Sequence, residues 1–360
     1  MSNQERDEWD EFEFGLDTPA FVSVDRNGDE ESGDVVIRNT IEEAVLADRV
    51  GIDSINISEH FRPGFMDSAG AVMLAGIASR TERIRLGTAV TVLSTQDPVR
   101  VYAEFATLDA ISNGRAQIAL GRGSLTDSFP LFGYDLADYE TLFEEKLDLF
   151  MKLVRQQPVT WSGTVRSSLT DQLVMPPLPD GHLPTWIAVG GSPQSVIRAA
   201  RYGLPVIFAI IGGDPARFAP YVELYHRSLE QFGMPMQPVG MHSLGYIAPT
   251  DQEARDIQFP HMRAMWATDE RRGGPPSDSS FEREIEQGAL YVGSPETVAT
   301  KLAKNIRLLG LQRFDLAYAL GPVPHEQRMA TIELFGTEVI PRVKALLREP
   351  TIVTTMAASR

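Results

Sequence analysis

The chain has 360 residues, room for one large or two medium domains with a sizeable core, and far more than a small module stapled by disulfides or a metal. Its hydrophobic share of 43% and charged share of 23% fit a globular protein, and the absence of cysteine removes disulfides, thiolate nucleophiles, iron–sulfur clusters and Cys-based zinc sites. A net charge of −16 disfavours phosphate backbones and anionic lipid surfaces as partners.

The acidic excess is uneven. Residues 1–13 carry six acids and Arg6, and residues 25–34 carry five acids and Arg26, so more than half of it lies in the first 34 residues. Residues 1–11 read as an acidic disordered tail, 12–347 as a single domain and 348–360 as a C-terminal tail. The start is acidic, unlike a signal peptide, and the longest wholly apolar run, 206–211, is far short of the roughly 20 residues of a membrane span. A cytoplasmic protein is expected. Only five of the 33 basic residues are lysines, namely Lys146, Lys152, Lys301, Lys304 and Lys344, and all fall in helix-like segments. Schiff-base chemistry, which needs a lysine amine aimed at substrate, is disfavoured.

Short apolar runs alternate with amphipathic stretches along nearly the whole chain, the pattern of βα units around a parallel sheet. Predicted strands at 12–16, 54–58, 84–90, 116–120, 185–189, 205–210, 240–247 and 313–319 alternate with helices near 38–50, 68–80, 98–112, 138–156, 193–202, 215–232, 296–309 and 326–347. About eight such units make an α/β (β/α)8 TIM barrel. Asp97-Pro98, Ser192-Pro193 and Ser294-Pro295 are helix starts, while Asn113-Gly114, Gly203 and Gly310 are left-handed stops. Two stretches break the rhythm, 158–182 and the polar segment near 267–290, and both are expected as loops inserted over the active face.

In such a barrel the active site forms at the C-terminal ends of the strands. Past strand two comes "SEHFRPGF", and if Ile55 and Ile57 face the helices, alternation turns Asn56, Ser58 and His60 toward the barrel axis. The imidazole of His60 could move protons there, or simply close a hydrogen bond at the strand end. Past strand four, Gly121 and Gly123 flank Arg122, a loop able to approach an anionic ligand and equally a plain tight turn. Past strand five, Gly190, Gly191, Ser192 and Ser195 open a helix whose free N–H groups could cradle a phosphate, the alternative being an ordinary serine cap. Gly212-Gly213 after strand six could line the same pocket. His242 lies within strand seven and can point inward. No H-x-H or H-E-x-x-H pair occurs, so no metal site is expected.

Taken in order, "FGLDTP", "GIDSINISEHFRPGF", "RIRLGTAVTVLSTQDPVRVYAEFATLDAISNGR", "GRGSLTDSFPLFGYD", "VGGSPQSVIRAARYGLP" and "VGSPETVATKLA" resemble the luciferase-like flavin-dependent monooxygenase family over nearly all of 12–347. The resemblance implies FMN held non-covalently at the barrel mouth, with a non-proline cis peptide at Ala89-Val90 and the backbone of Ala89, Val90 and Thr91 against the flavin ring. It implies that His60 is the active-site histidine, with Glu59 beside it as the second catalytic candidate, that Arg122 is the arginine after strand four, and that Gly191, Ser192 and Ser195 form the phosphate turn, with Gly190, Gly212 and Gly213 as further coenzyme-binding candidates. Two positions depart from the family. Phe61 stands where many relatives have a second histidine, and Glu140 where the luciferases have a phosphate-contacting arginine.

The implied activity is two-component monooxygenation: a separate flavin reductase supplies reduced FMN, and one atom of dioxygen enters a small organic substrate. A homodimer is expected. The alternative on the same barrel is hydride transfer with a deazaflavin coenzyme; a further one, from another class, is a flavin-binding protein without catalysis.

Overall fold

The computed structural model describes residues 9, 11–155, 157–179, 181–267 and 274–349. Most of the expected acidic tail and of the C-terminal tail lies outside them. The elements run β1 Glu13–Thr18, α1 Gly33–Arg49, β2 Ser54–Ile57, α2 Gly70–Ala78, β3 Arg85–Thr88, β4 Thr91–Val92, α3 Pro98–Ser112, β5 Ile118–Gly121, α4 Ser128–Phe132, α5 Tyr139–Arg155, β6 Val159–Trp161 and β7 Leu169–Gln172. They continue as β8 Thr185–Val189, α6 Pro193–Tyr202, β9 Val206–Ala209, α7 Ala219–Gln231, β10 Val239–Ile247, α8 Asp251–Ala267, α9 Asp278–Glu286, β11 Tyr291–Gly293, α10 Pro295–Leu309, β12 Arg313–Ala317, α11 His325–Leu334 and α12 Ile340–Arg348.

The strands pair in parallel in the order β3-β2-β1-β12-β10-β9-β8-β5-β4. β3 and β4 are one strand interrupted at Ala89-Val90, whose peptide is cis. The sheet closes where the Leu86 N–H donates to Arg115 O at 3.0 Å and the Gln117 N–H donates to Leu86 O at 2.9 Å. This is the (β/α)8 barrel expected from the sequence.

Strand alternation sorts the side chains. Ile55, Ile57, Leu86, Ile118, Val206 and Phe208 turn outward into the main core between strands and helices. The inward positions hold Asn56, Gln117, Arg313 and Asp315, joined by hydrogen bonds across the lumen. Glycines make room for this polar plug: a Cβ on Gly15 would fall 2.1 Å from Asp315 Oδ1, and one on Gly87 would fall 2.3 Å from Asn56 Oδ1. Above it, Ala119, Trp186 and Ile207 form a small apolar wall with Val90 and Ala188.

Helix punctuation follows the sequence in most places. Asp97 accepts from the Val99 and Arg100 N–H groups, and Asn113, Gly203 and Gly310 take left-handed C-cap conformations. The two interruptions carry more structure than loops. Within 158–182, β6 and β7 form an antiparallel hairpin. The segment near 267–290 contains α9, and with α8 and β11 it covers a second core of Leu244, Tyr246, Phe281, Ile285 and Val292; its residues 268–273 lie outside the described set. The single helix expected at 326–347 is α11 and α12 joined by a π-helical turn, Phe335–Val339.

Candidate active site

His60 leaves β2 at the mouth. Its backbone N–H donates to Asp67 Oδ1 at 3.0 Å, and its ring Nδ1 lies 2.6 Å from Asp67 Oδ2. Asp67 is wholly enclosed, and burial, opposed by those bonds, raises its carboxyl above the ordinary range. A carboxylate on Nδ1 fixes the proton there and leaves Nε2 for exchange. The face of the ring rests on Phe65, centroids 4.5 Å apart.

Glu59 braces the strand edge next to it. Its carboxylate accepts from the Val92 N–H at 3.1 Å and from Gln96 Nε2 at 3.0 Å, pinning the chain just past the cis peptide. Burial outweighs both bonds and pushes its carboxyl up to about 7. It lines a cavity of about 480 Å³ that runs out between α2 and α3, shared with Ser58, Thr88, Thr91 and Gln96.

Val90 leans over Gly121, where a Cβ would fall 2.5 Å from Val90 Cγ2, so only glycine leaves room for it. Thr91 Oγ1 donates to Thr88 Oγ1 at 3.1 Å and Thr88 Oγ1 donates to Ala119 O at 3.1 Å, locking this edge to β5. Ala89 and Val90 are partly exposed to the throat, whereas Thr91 is buried.

At the start of α6 the two similar strings "GGSPQS" and "GSPETV" part ways. Ser294 caps its helix, accepting from the Thr297 N–H. Ser192 makes no such bond; its hydroxyl donates to Gln194 Oε1 at 2.9 Å. Gly191 has φ +99°, and a Cβ on Gly190 would meet nothing within 4 Å. Ser195 Oγ is buried with no hydrogen-bond partner. An unpaired buried hydroxyl beside an uncapped, glycine-opened helix start is what a bound phosphate would satisfy.

Arg122 is half-buried over the Tyr139 ring, 5.2 Å from its centroid, and is paired with Glu140. Glu140 also accepts from Arg198 Nη2 at 2.9 Å, and Arg198 Nε reaches Glu144 at 2.5 Å. Gly213 is partly used: its N–H donates to Glu284 Oε2 at 2.9 Å, tying the loop after β9 to α9, with Gly212 beside it.

Three contributors escaped the sequence. Asp67 sits in the turn-rich stretch after His60, where no spacing rule marks a partner. Asp17, on β1, pairs with His242 Nδ1 on β10 in the lumen; alternation from Gly15 could have pointed it inward. Arg198 lies on α6, three residues past Ser195. Among the described residues, no three His, Asp or Glu side chains gather as metal ligands, and no helix is long and apolar enough to cross a membrane.

A parallel eight-stranded barrel with its ionisable and glycine-rich groups gathered at the C-terminal strand ends defines a TIM-barrel enzyme class. Within that class the family follows directly: residues 12–313 match the family model of luciferase-like monooxygenases, and the chain belongs to this family, whose members are oxidoreductases. The monooxygenase RslO1 from Streptomyces bottropensis superposes with a TM-score of 0.80 at 24% identity, covering 91% of this chain and 99% of that one. The oxygenating constituent of 3,6-diketocamphane monooxygenase from Pseudomonas putida, in complex with FMN, gives 0.74 at 20%, covering 92% and 99%. The coenzyme F420 dependent tetrahydromethanopterin reductase from Methanopyrus kandleri gives 0.66 at 19%, covering 92% and 99%.

Proposed function

We propose that this protein is a two-component monooxygenase that takes reduced FMN from a separate flavin reductase and uses dioxygen to oxygenate a small organic substrate. The observation that carries the coenzyme reading is the partnerless buried Ser195 Oγ at the uncapped start of α6. Gly190, Gly191, Ser192 and Ser195 would hold the phosphate, with Arg122 beside them, and the backbone of Ala89, Val90 and Thr91 would support the ring. FMN, when bound, supplies the electrons and the ring on which oxygen is activated.

The chain's own residues supply positioning, dryness and protons. Val90, Ala119, Trp186, Ala188 and Ile207 present an apolar wall that excludes water. His60, oriented by Asp67, holds or releases a proton at Nε2 at the mouth. Glu59 holds the Val92 end of the coenzyme-facing backbone in place.

A second reading, hydride transfer with a deazaflavin coenzyme, is favoured by the F420-dependent structural relative. Against it, Arg122 and Arg198 are already paired with Glu140 and Glu144, so neither is free to meet an anionic coenzyme tail. Equilibrium titration with oxidised FMN, reduced FMN and coenzyme F420 decides. Tighter binding of FMN is expected; binding of F420 alone establishes the second reading, and binding of none refutes both. Unchanged turnover of an identified substrate by a His60→Ala variant would instead take His60 out of the catalytic machinery.

A further inference from the structure

Beneath the mouth the barrel holds a second Asp–His pair. His242 points inward from β10 beside Ala209, and its Nδ1 is hydrogen-bonded to Asp17 Oδ2 from β1. The surroundings below are closed: Asp17 and Asp315 are each 1% exposed and Arg313 is 3% exposed. The His242 side chain is 20% exposed, and its register partner Ala209 is partly exposed as well, as are Val90 and Ala188 of the apolar wall. The imidazole therefore keeps an accessible edge inside the barrel, while the acids and the arginine packed with it do not. Asp17 keeps one buried oxygen, Oδ1, without a partner.

We infer that His242, held by Asp17 on the floor of the throat, contacts the bound coenzyme ring and donates a hydrogen bond from Nε2 to its pyrimidine-dione edge. This rests on the coenzyme reading above, but not on which coenzyme, because FMN and the 5-deazaflavins share that edge. The edge carries carbonyl and ring-nitrogen acceptors and gains negative charge when the ring is reduced, so a fixed donor there favours the reduced form.

The charges around His242 supply the donor. From β1 comes Asp17; from β12 come Asp315 and Arg313, the latter bound to Asp315 through Nε at 3.0 Å; β9 offers only Ala209. Burial works against a charged imidazole, yet Asp17 and then Asp315 outweigh it and hold His242 above the ordinary histidine range. Arg313 spends its remaining donors on Gln117, Asn56 and Ser54, so it does not compete for Asp17. With Nδ1 committed to Asp17, the second proton sits on Nε2, the nitrogen free to face a ligand.

The test compares the unsubstituted protein with His242→Gln and Asp17→Asn, each loaded with FMN, by spectroelectrochemistry. Both variants should bind oxidised FMN more weakly than the parent, and reduced FMN more weakly still. Both should lose about ten-fold in preference for reduced FMN, a midpoint potential about 30 mV more negative. The parent's potential should show a break with pH where His242 titrates, above the ordinary histidine range, and the break should be absent in His242→Gln. In the unsubstituted protein, the imidazole NMR signal of His242 should also shift on adding FMN, a readout that needs neither variant to fold. Unchanged potentials and an unmoved His242 signal in protein that binds FMN overturn the inference while leaving the coenzyme reading intact. Failure of the parent to bind any flavin or deazaflavin overturns the coenzyme reading, and the inference with it.

Discussion

Glu59 offers a sharp test of the electrostatics, because its ionisation is opposed by burial while its hydrogen-bond partners are both uncharged. In the folded chain its carboxyl titrates at about 7, against 4.5 for an ordinary glutamate. Between those values the folded state holds a proton that the unfolded state has released, so stability is lost as pH rises through the interval and is fully present below it. At roughly 1.4 kcal/mol per unit, the ceiling is about 3 kcal/mol; solvent reaching the carboxylate through the cavity between α2 and α3 brings the expected swing to about 1–3 kcal/mol. Glu59→Gln keeps the shape and can still accept from the Val92 N–H, but carries no charge. Urea unfolding at pH 5 and pH 8 should therefore show the variant near the parent in stability, or slightly below it, at the lower pH. At the higher pH it should gain by that swing. An equal difference between variant and parent at both pH values would refute the claim that burial governs this carboxyl.

Three further outcomes follow from the same geometry. Ser195→Ala removes a hydroxyl that is buried without a partner, so thermal stability should hold or rise slightly while FMN affinity falls several-fold, at about 1 kcal/mol for one hydrogen bond to phosphate; equal affinity by fluorescence titration would take Ser195 out of the phosphate turn. Gly121→Ala places a Cβ 2.5 Å from Val90 Cγ2, and unfolding should show a loss of about 1–3 kcal/mol as Val90 is forced aside, with no loss meaning that this edge is freer than its packing indicates. Asp67→Asn should cost about 1.5–3 kcal/mol in urea unfolding, since one buried carboxylate accepts from both the amide and the ring of His60, and a variant as stable as the parent would show that the pair is not formed in solution.

The eight barrel strands were readable because each is a short apolar run bounded by turn or cap residues, and the helices between them have broad apolar faces. What escaped has narrow signals. α8 buries only Ala254, Gln258 and Met262 and contains Pro260, so its stripe is thin and its interior carries a helix breaker. β7 is exposed over most of its length and has no apolar alternation to read. At the site, His60, Arg122 and the glycine turns stood out because they follow strands directly. Their pairings did not: Glu140 stands out only as a departure from the family and Asp67 not at all, because both act through loop closure and helix packing, which no local spacing encodes. The two "GSP" strings show the limit most clearly. Ser294 is drawn into its cap with the help of Asp251, which accepts from the Ser294 N–H at 2.6 Å and from Thr297 Oγ1 at 2.9 Å. Ser192, for which no such acidic brace is seen, leaves its helix start open.

Glu140 then gives the net charge of the chain a local meaning. A mouth that receives a phosphate needs cation, yet Arg122 and Arg198 both reach Glu140, one from the loop after β5 and one from α6. A carboxylate bridging two arginines keeps them close and oriented, and it also competes with any anion that approaches them. Glu140→Gln should release that competition. FMN should bind several-fold more tightly at low salt, with the gain shrinking as ionic strength rises, because Glu140 is 59% exposed and its influence is screened. If the substitution instead weakens FMN binding, Glu140 serves chiefly to aim Arg122, and the arginine pair rather than the carboxylate sets the affinity of the mouth.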